Sequence, residues 1–197
     1  MKGVRTILGT MLSLVALQAE AQSNPALDFD RCMDRETARF ERALRRAHAL
    51  PDPDFFDISG VTGVEFCGTV GIVKCDNSDA PLPCQRALRT DQDVMTAQVL
   101  SSVPPPNEIP GRGEDLSDAF YRRAWELARG RSAGPDCIGA PKVMEVWCEA
   151  RESNRRLQLA VLTWQAARFL GAAPEATEAG WADPPSPTRP RAREAEK

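Results

Sequence analysis

A single histidine, His48, and a single tyrosine, Tyr121, occur in 197 residues. One histidine cannot build a multi-histidine metal site, and it leaves one general base of that type. His48 stands in "RRAHAL", near the C-terminal end of an expected helix, where a positive side chain compensates the helix dipole. A surface role is therefore its simplest explanation. No G-x-x-x-x-G-K or G-x-G-x-x-G occurs, which removes the usual nucleotide loop and dinucleotide fingerprint. C-x-x-C is absent too, and with it the thioredoxin-type redox pair. Nothing here calls for a cofactor.

Long apolar runs are equally scarce. The run from Thr6 to Leu17 is about a dozen residues and ends in Gln, Glu and Gln, whereas a spanning helix needs about 20 apolar residues. It follows Lys2 and Arg5 and precedes the small-x-small site Ala19-Glu20-Ala21, so residues 1–21 are expected to be a secretory signal peptide cut after Ala21. The first cysteine, Cys32, is too distant for an N-terminal lipid anchor. The expected mature chain has no transmembrane segment and is periplasmic or secreted. A basic excess is missing as well. Loss of the signal takes two basic and one acidic residue from 25 and 28, leaving a net charge of −4. Nucleic acid needs a concentrated basic face, so it is not the expected partner. The arginines of "RRAHA" and "NRR" lie among acidic neighbours and read as solvated faces.

Helical periodicity is plentiful. Residues 27–50 carry Phe29, Met33, Phe40, Leu44 and Ala47 at three-to-four-residue spacing, with Asp28 as N-cap and a stop at Pro51. A Pro- and Asp-rich loop follows. Residues 82–100 place Cys84, Leu88, Met95 and Val99 on one face, and residues 115–129 do the same with Leu116, Phe120, Ala124 and Leu127. Between these two helices, "SSVPPPNEIPGRG" reads as an extended linker. The last helix, 141–170, carries Val143, Trp147, Ala150, Leu157, Val161 and Trp164, and Gly171 fits the position beyond its end. Between the first two helices, "VEFCGTVGIVKC" mixes β-branched and aromatic residues with glycines, which suits short strands or a hairpin. The expected fold is mainly α: a disulfide-stapled bundle of about four helices with a small Gly-rich β-hairpin or loop insert. It occupies one domain, residues 22–171. Residues 172–197, rich in proline and charge, are expected to be a disordered tail.

The six cysteines, Cys32, Cys67, Cys75, Cys84, Cys137 and Cys148, are even in number and all lie in the expected mature chain. A structural zinc site wants ligand pairs separated by two to four residues, and the closest spacings here leave seven, eight and ten between. Three disulfides are the expectation for an oxidising compartment, with fifteen pairings open. Chain-local pairing would join Cys32 to Cys67, Cys75 to Cys84 and Cys137 to Cys148, each closure worth roughly 3 to 4 kcal/mol in the chain-entropy model.

Carboxylates are the remaining catalytic candidates. Glu65 stands alone among apolar neighbours, and if buried it would have a raised pKa and could act as a general acid with Asp52, Asp54 or Asp57 of the preceding loop. Strand alternation places it more simply in water. The loops holding Asp52, Asp54, Asp57, Asp76 and Asp79 lack the regular ligand spacing of an EF-hand, so turn formation explains them better than Ca²⁺. Trp147 and Trp164 fit a core stripe, Trp125 falls off its helix's stripe as a candidate binding anchor, and Trp181 lies in the tail. The expected function is that of a non-enzymatic interaction or accessory factor whose partner is another protein. A small carboxylate-based hydrolase using Glu65 and a thiol redox accessory protein are the alternatives. Alkylation of the exported protein before reduction should add no mass, and after strong reduction it should label all six cysteines. Free thiols at the start, read by intact-mass spectrometry, would contradict the crosslinked framework.

Overall fold

The computed structural model describes residues 25–49, 61–109, 116–130 and 137–184. The expected signal peptide, the loop holding Asp52, Asp54 and Asp57, and residues 185–197 lie outside them. Five helices occur among the described residues: α1 (Pro25–His48), α2 (Thr62–Asp76), α3 (Pro81–Ser101), α4 (Leu116–Ala128) and α5 (Lys142–Phe169). The stripe Phe29, Met33, Phe40, Leu44 and Ala47 is buried along α1, and Leu88, Met95 and Val99 are buried along α3. Pro81 opens α3 at a position where the missing N–H costs nothing. α3 and α5 share the largest interface, α4 packs on α5, and α2 lies against α1, α3 and α5. No described helix is long and apolar enough to cross a membrane.

The β-hairpin expected over "VEFCGTVGIVKC" is corrected: residues 62–76 are helix α2, and no strand occurs among the described residues. Its buried residues are Val64, Cys67, Gly68, Gly71, Ile72 and Cys75, a helical repeat of three and four. β-Branched and glycine propensities opposed a helix by at most about 1 kcal/mol per residue. Tertiary packing outweighs that. A Cβ at Gly68 would overlap the Asn154 carboxamide of α5, and one at Gly71 would stand 3.0 Å from both Leu88 methyls of α3. The glycines therefore form the contact surface that lets three helices meet. They do not mark turns.

The tail also departs from expectation. Residues 172–184 fold back over the bundle as a strap, burying Ala173, Ala176 and Trp181. α5 ends in a Schellman motif: the Gly171 N–H donates to the Arg168 carbonyl at 3.0 Å and the Ala172 N–H to the Ala167 carbonyl at 2.8 Å, with Gly171 at φ 68°. A second turn closes where the Trp181 N–H donates to the Ala176 carbonyl, with Gly180 at φ 75°. That turn aims Trp181 at the core, where its ring meets Trp164 edge-on at 4.8 Å. Trp164 is fully buried, packs at 5.2 Å against Phe40 of α1, and donates its indole N–H to the Pro174 carbonyl at 3.1 Å. Composition suggested disorder because proline and charge were averaged over the whole segment. The buried Trp181, Ala173 and Ala176 decide the fold of its first half.

On α4 the buried face is rotated from the expected stripe: Tyr121, Ala124 and Ala128 point inward while Phe120 is 43% exposed. The Tyr121 hydroxyl donates to the Pro104 carbonyl at 2.8 Å, which anchors α4 to the proline segment. Val143 of α5 is likewise exposed, because the helix's first turn overhangs the bundle. Gly68→Ala should destabilise the fold by about 1–3 kcal/mol, the usual range for overpacking. Gly71→Ala should cost less, since the methyls of Leu88 can shift. Urea unfolding that ranks the two in the opposite order would contradict the placement of α2.

Candidate functional site

The cysteines form three disulfides, Cys32–Cys67 between α1 and α2, Cys75–Cys84 between α2 and α3, and Cys137–Cys148 across the entry to α5. No cysteine is free. Cys67 and Cys75 are almost completely buried, so these sulfurs are shielded from an attacking thiolate. A thiol chemistry would require one of these bridges to be opened first.

The carboxylate candidates do not converge. Glu65 lies in the first turn of α2 and is exposed, so the burial that the general-acid reading requires is not present. Its proposed aspartate partners fall outside the described residues. Asp76 accepts a 2.5 Å bond from the Gln85 amide, which joins the end of α2 to the start of α3 and explains it structurally. Asp79 lies in the exposed bend between those helices. His48 ends α1 beside Arg45 and Arg46, exposed and 6.1 Å from the Phe169 ring. Among the described residues no three His, Cys, Asp or Glu side chains are grouped to hold a metal ion.

The main polar feature is a ladder on the seam between α3 and α5. Arg89 pairs with Glu149 at 2.5 Å, Asp93 accepts from Arg156 at 2.6 Å, and the buried Ser153 hydroxyl also donates to Asp93 at 2.5 Å. Asp93 and Arg156 also line an open groove of about 550 Å³ with Thr96, Ser101 and Arg129. Ser153 and Arg156 meet one carboxylate oxygen of Asp93, and Arg89 lies 3.6 Å from the other, so the ladder crosslinks α3 to α5. Its chemistry is that of a clamp. A second ion pair, not foreseen from the sequence, lies deeper: Arg168 of α5 grips Glu41 of α1 with two bonds of 2.8 and 2.9 Å and donates to the Ala173 carbonyl at 3.0 Å.

Near the strap's end, acids gather. Asp30 and Asp34 lie one turn apart on α1, and burial pushes both carboxyls above the usual range. The charges of Asp91, Asp34 and Asp183 push Asp30 further in the same direction. Asp91 of α3 is raised by burial as well. By contrast, the hydrogen bond from Lys74 holds the Asp28 carboxyl below its ordinary range, and this pair ties the end of α2 to the start of α1. The i, i+4 spacing of Asp30 and Asp34 was visible in the sequence, but their approach to Asp91 and Asp183 depends on the fold.

The feature best suited to contact with another molecule is the outer face of α2. Its inner edge holds Val64 and Ile72 with the glycines and cysteines, and a second set of apolar residues points away: Phe66 is 57% exposed and Val73 52%, with the half-buried Val70 between them. Ile138, Val143 and Met144, also exposed, lie in or next to the loop closed by Cys137–Cys148. Trp125 is half-buried with the Arg129 guanidinium 4.5 Å above its ring, and Trp147 is covered in the same way by Arg151. Neither forms an open aromatic anchor.

Compared with known proteins, the chain matches no family model, no curated protein and no solved structure. Its physical features alone therefore carry any functional assignment. Phe66→Ser and Val73→Ser should each change the folding free energy by less than about 0.5 kcal/mol, as surface substitutions do. A loss of more than about 2 kcal/mol in urea unfolding would mean that the chain itself covers this face.

Proposed function

We propose that this chain is an exported, disulfide-stapled helical binding protein that acts by docking another protein on the outer face of α2. The observation that carries this is a second apolar face on that helix. An amphipathic helix of a small domain normally turns polar side chains to solvent. α2 buries Val64 and Ile72 beside its glycines and cysteines, and still presents Phe66 and Val73 to solvent. Aromatic and aliphatic groups on a rigid helix are what a protein partner's pocket engages at low entropic cost.

The compartment follows from a separate feature. Three disulfides persist where glutathione and thioredoxin do not reduce them, which fits the periplasm or the extracellular space. The Gly-rich contact surface of α2 has little apolar area of its own, so the bridges replace part of the burial that a larger core would supply.

The hydrolase alternative lacks its premise, since Glu65 is exposed. A photo-reactive phenylalanine analogue at position 66 should crosslink to a second polypeptide in the producing cell, while the same probe at the exposed Gln98 of α3 should not. Val73→Asp should reduce the adduct at position 66 by about tenfold or more, the size expected for loss of an apolar hot spot. Equal labelling at positions 66 and 98, or an adduct made only with another copy of this chain, would overturn the assignment.

A further inference from the structure

We propose that the pocket between α1 and the strap, residues 172–184, binds a small aliphatic zwitterion about the length of a dipeptide, with its ammonium group at Asp34 and Asp183 and its carboxylate at Arg42. This goes beyond the docking role of α2 and does not depend on it. Asp34, Thr37, Ala38, Glu41, Arg42 and Arg45 recur at three- and four-residue spacing and so share one face of α1. The strap crosses that face and encloses about 330 Å³, at the lower end of the range for small-molecule sites. Ala38, Ala176, Ala182 and Pro184 wall the space, so its body is apolar and suits small side chains.

The charges around this pocket do not cancel. Arg45 pairs with Glu175 at 3.1 Å, and Glu41 is gripped by Arg168. Those pairs leave two acids and one base over. Asp34 and Asp183 are joined by the Asp183 N–H donating to Asp34 at 2.8 Å, and neither carboxylate meets a basic side chain among the described residues. Burial pushes the Asp34 carboxyl above its usual range; the Asp183 N–H opposes this and the Asp183 charge adds to it. Arg42, exposed at the pocket's rim, pairs with no carboxylate among the described residues. Between the two ends stands Thr37, 5% exposed, whose hydroxyl has no hydrogen-bond partner among the described residues. An unpaired buried hydroxyl is costly, and a peptide group, carrying both N–H and C=O, would satisfy it. The separation suits such a ligand. Asp34 and Arg42 are about 12 Å apart along the helix axis. Side chains on a helix lean toward its N-terminus, so the long Arg42 reaches back toward Asp34 and shortens the gap toward the span of an extended dipeptide, about 7 Å. An ammonium between two carboxylates and a carboxylate on a guanidinium are both charge-assisted hydrogen bonds, the stronger kind.

The test titrates the full chain with alanyl-alanine in a calorimeter, beside its N-acetyl form, which lacks the ammonium, and its C-terminal amide, which lacks the carboxylate. The free dipeptide should bind saturably with a Kd of about 1 mM or tighter. Each blocked form should bind at least about tenfold more weakly, the loss expected for one hydrogen bond to a charged group. Arg42→Gln, at an exposed and unpaired position, should bring the free dipeptide and its amide to equal affinity while the penalty for acetylation remains. Asp34→Asn combined with Asp183→Asn should do the reverse, and the amide at position 34 still accepts the backbone N–H of position 183, so the strap stays in place. No saturable heat up to about 10 mM dipeptide, equal binding of either blocked form by the parent, or unchanged discrimination in Arg42→Gln would each overturn the site.

Discussion

Close approach along the buried edge of α2 is the constraint on which the other helices depend. Gly68 admits Asn154 of α5, Gly71 admits Leu88 of α3, and Cys67 and Cys75 are bonded to α1 and α3 respectively. One helix of fifteen residues thereby fixes the relative positions of three others. Glycine in a helix costs roughly 1 kcal/mol relative to alanine, and α2 spends this at three positions, including Gly63 beside Glu36. Two covalent ties offset that loss by restricting the unfolded chain, each worth about 3 kcal/mol for loops of this length. Glycine and cysteine are thus parts of one device, since the close contact would be unaffordable without the bridges.

The seam between α3 and α5 shows why such reinforcement is needed. Gln92 of α3 and Ser153, Asn154, Gln158 and Thr163 of α5 are buried, among side chains that a simple bundle would make leucine. Ser153 and Thr163 find acceptors in Asp93 and the Leu159 carbonyl. The Gln92 amide finds none within the protein. A buried polar group without a partner costs roughly 1–3 kcal/mol, so this seam specifies register more than it supplies stability. Stability comes instead from the disulfides and from the Phe40, Trp164 and Trp181 cluster at the far end of α5.

The bundle was legible wherever large apolar residues kept helical spacing. Phe29, Met33, Phe40 and Leu44 announced α1, and Leu157, Val161 and Trp164 announced the second half of α5. α2 was not legible as a helix because glycines interrupt Val64, Cys67, Ile72 and Cys75 on its buried face, while the conspicuous Phe66 and Val73 face water and blur the apolar stripe. The buried set 64, 67, 68, 71, 72, 75 has helical period once small residues are counted as contact residues. Trp181 was misread for a different reason: its partner Trp164 is seventeen positions away, across a turn that Gly180 makes feasible and composition does not reveal. Of the candidate surface, residue types were visible in the sequence but their direction was not, because direction depends on which face α5 occupies.

That dependence also bears on what the molecule is for. If α2 served only to complete the core, leucine or alanine on its inner edge and polar residues outside would do so at lower cost. The chain instead places glycines and cysteines beside Val64 and Ile72 against the bundle and Phe66 and Val73 outside, then secures the arrangement with two of its three disulfides. A rigid frame with outward apolar groups loses little conformational entropy when those groups are engaged. The same frame would be a liability without a partner, because exposed apolar residues promote association. The proposed docking role would account for both the glycines inside α2 and the apolar exposure outside it.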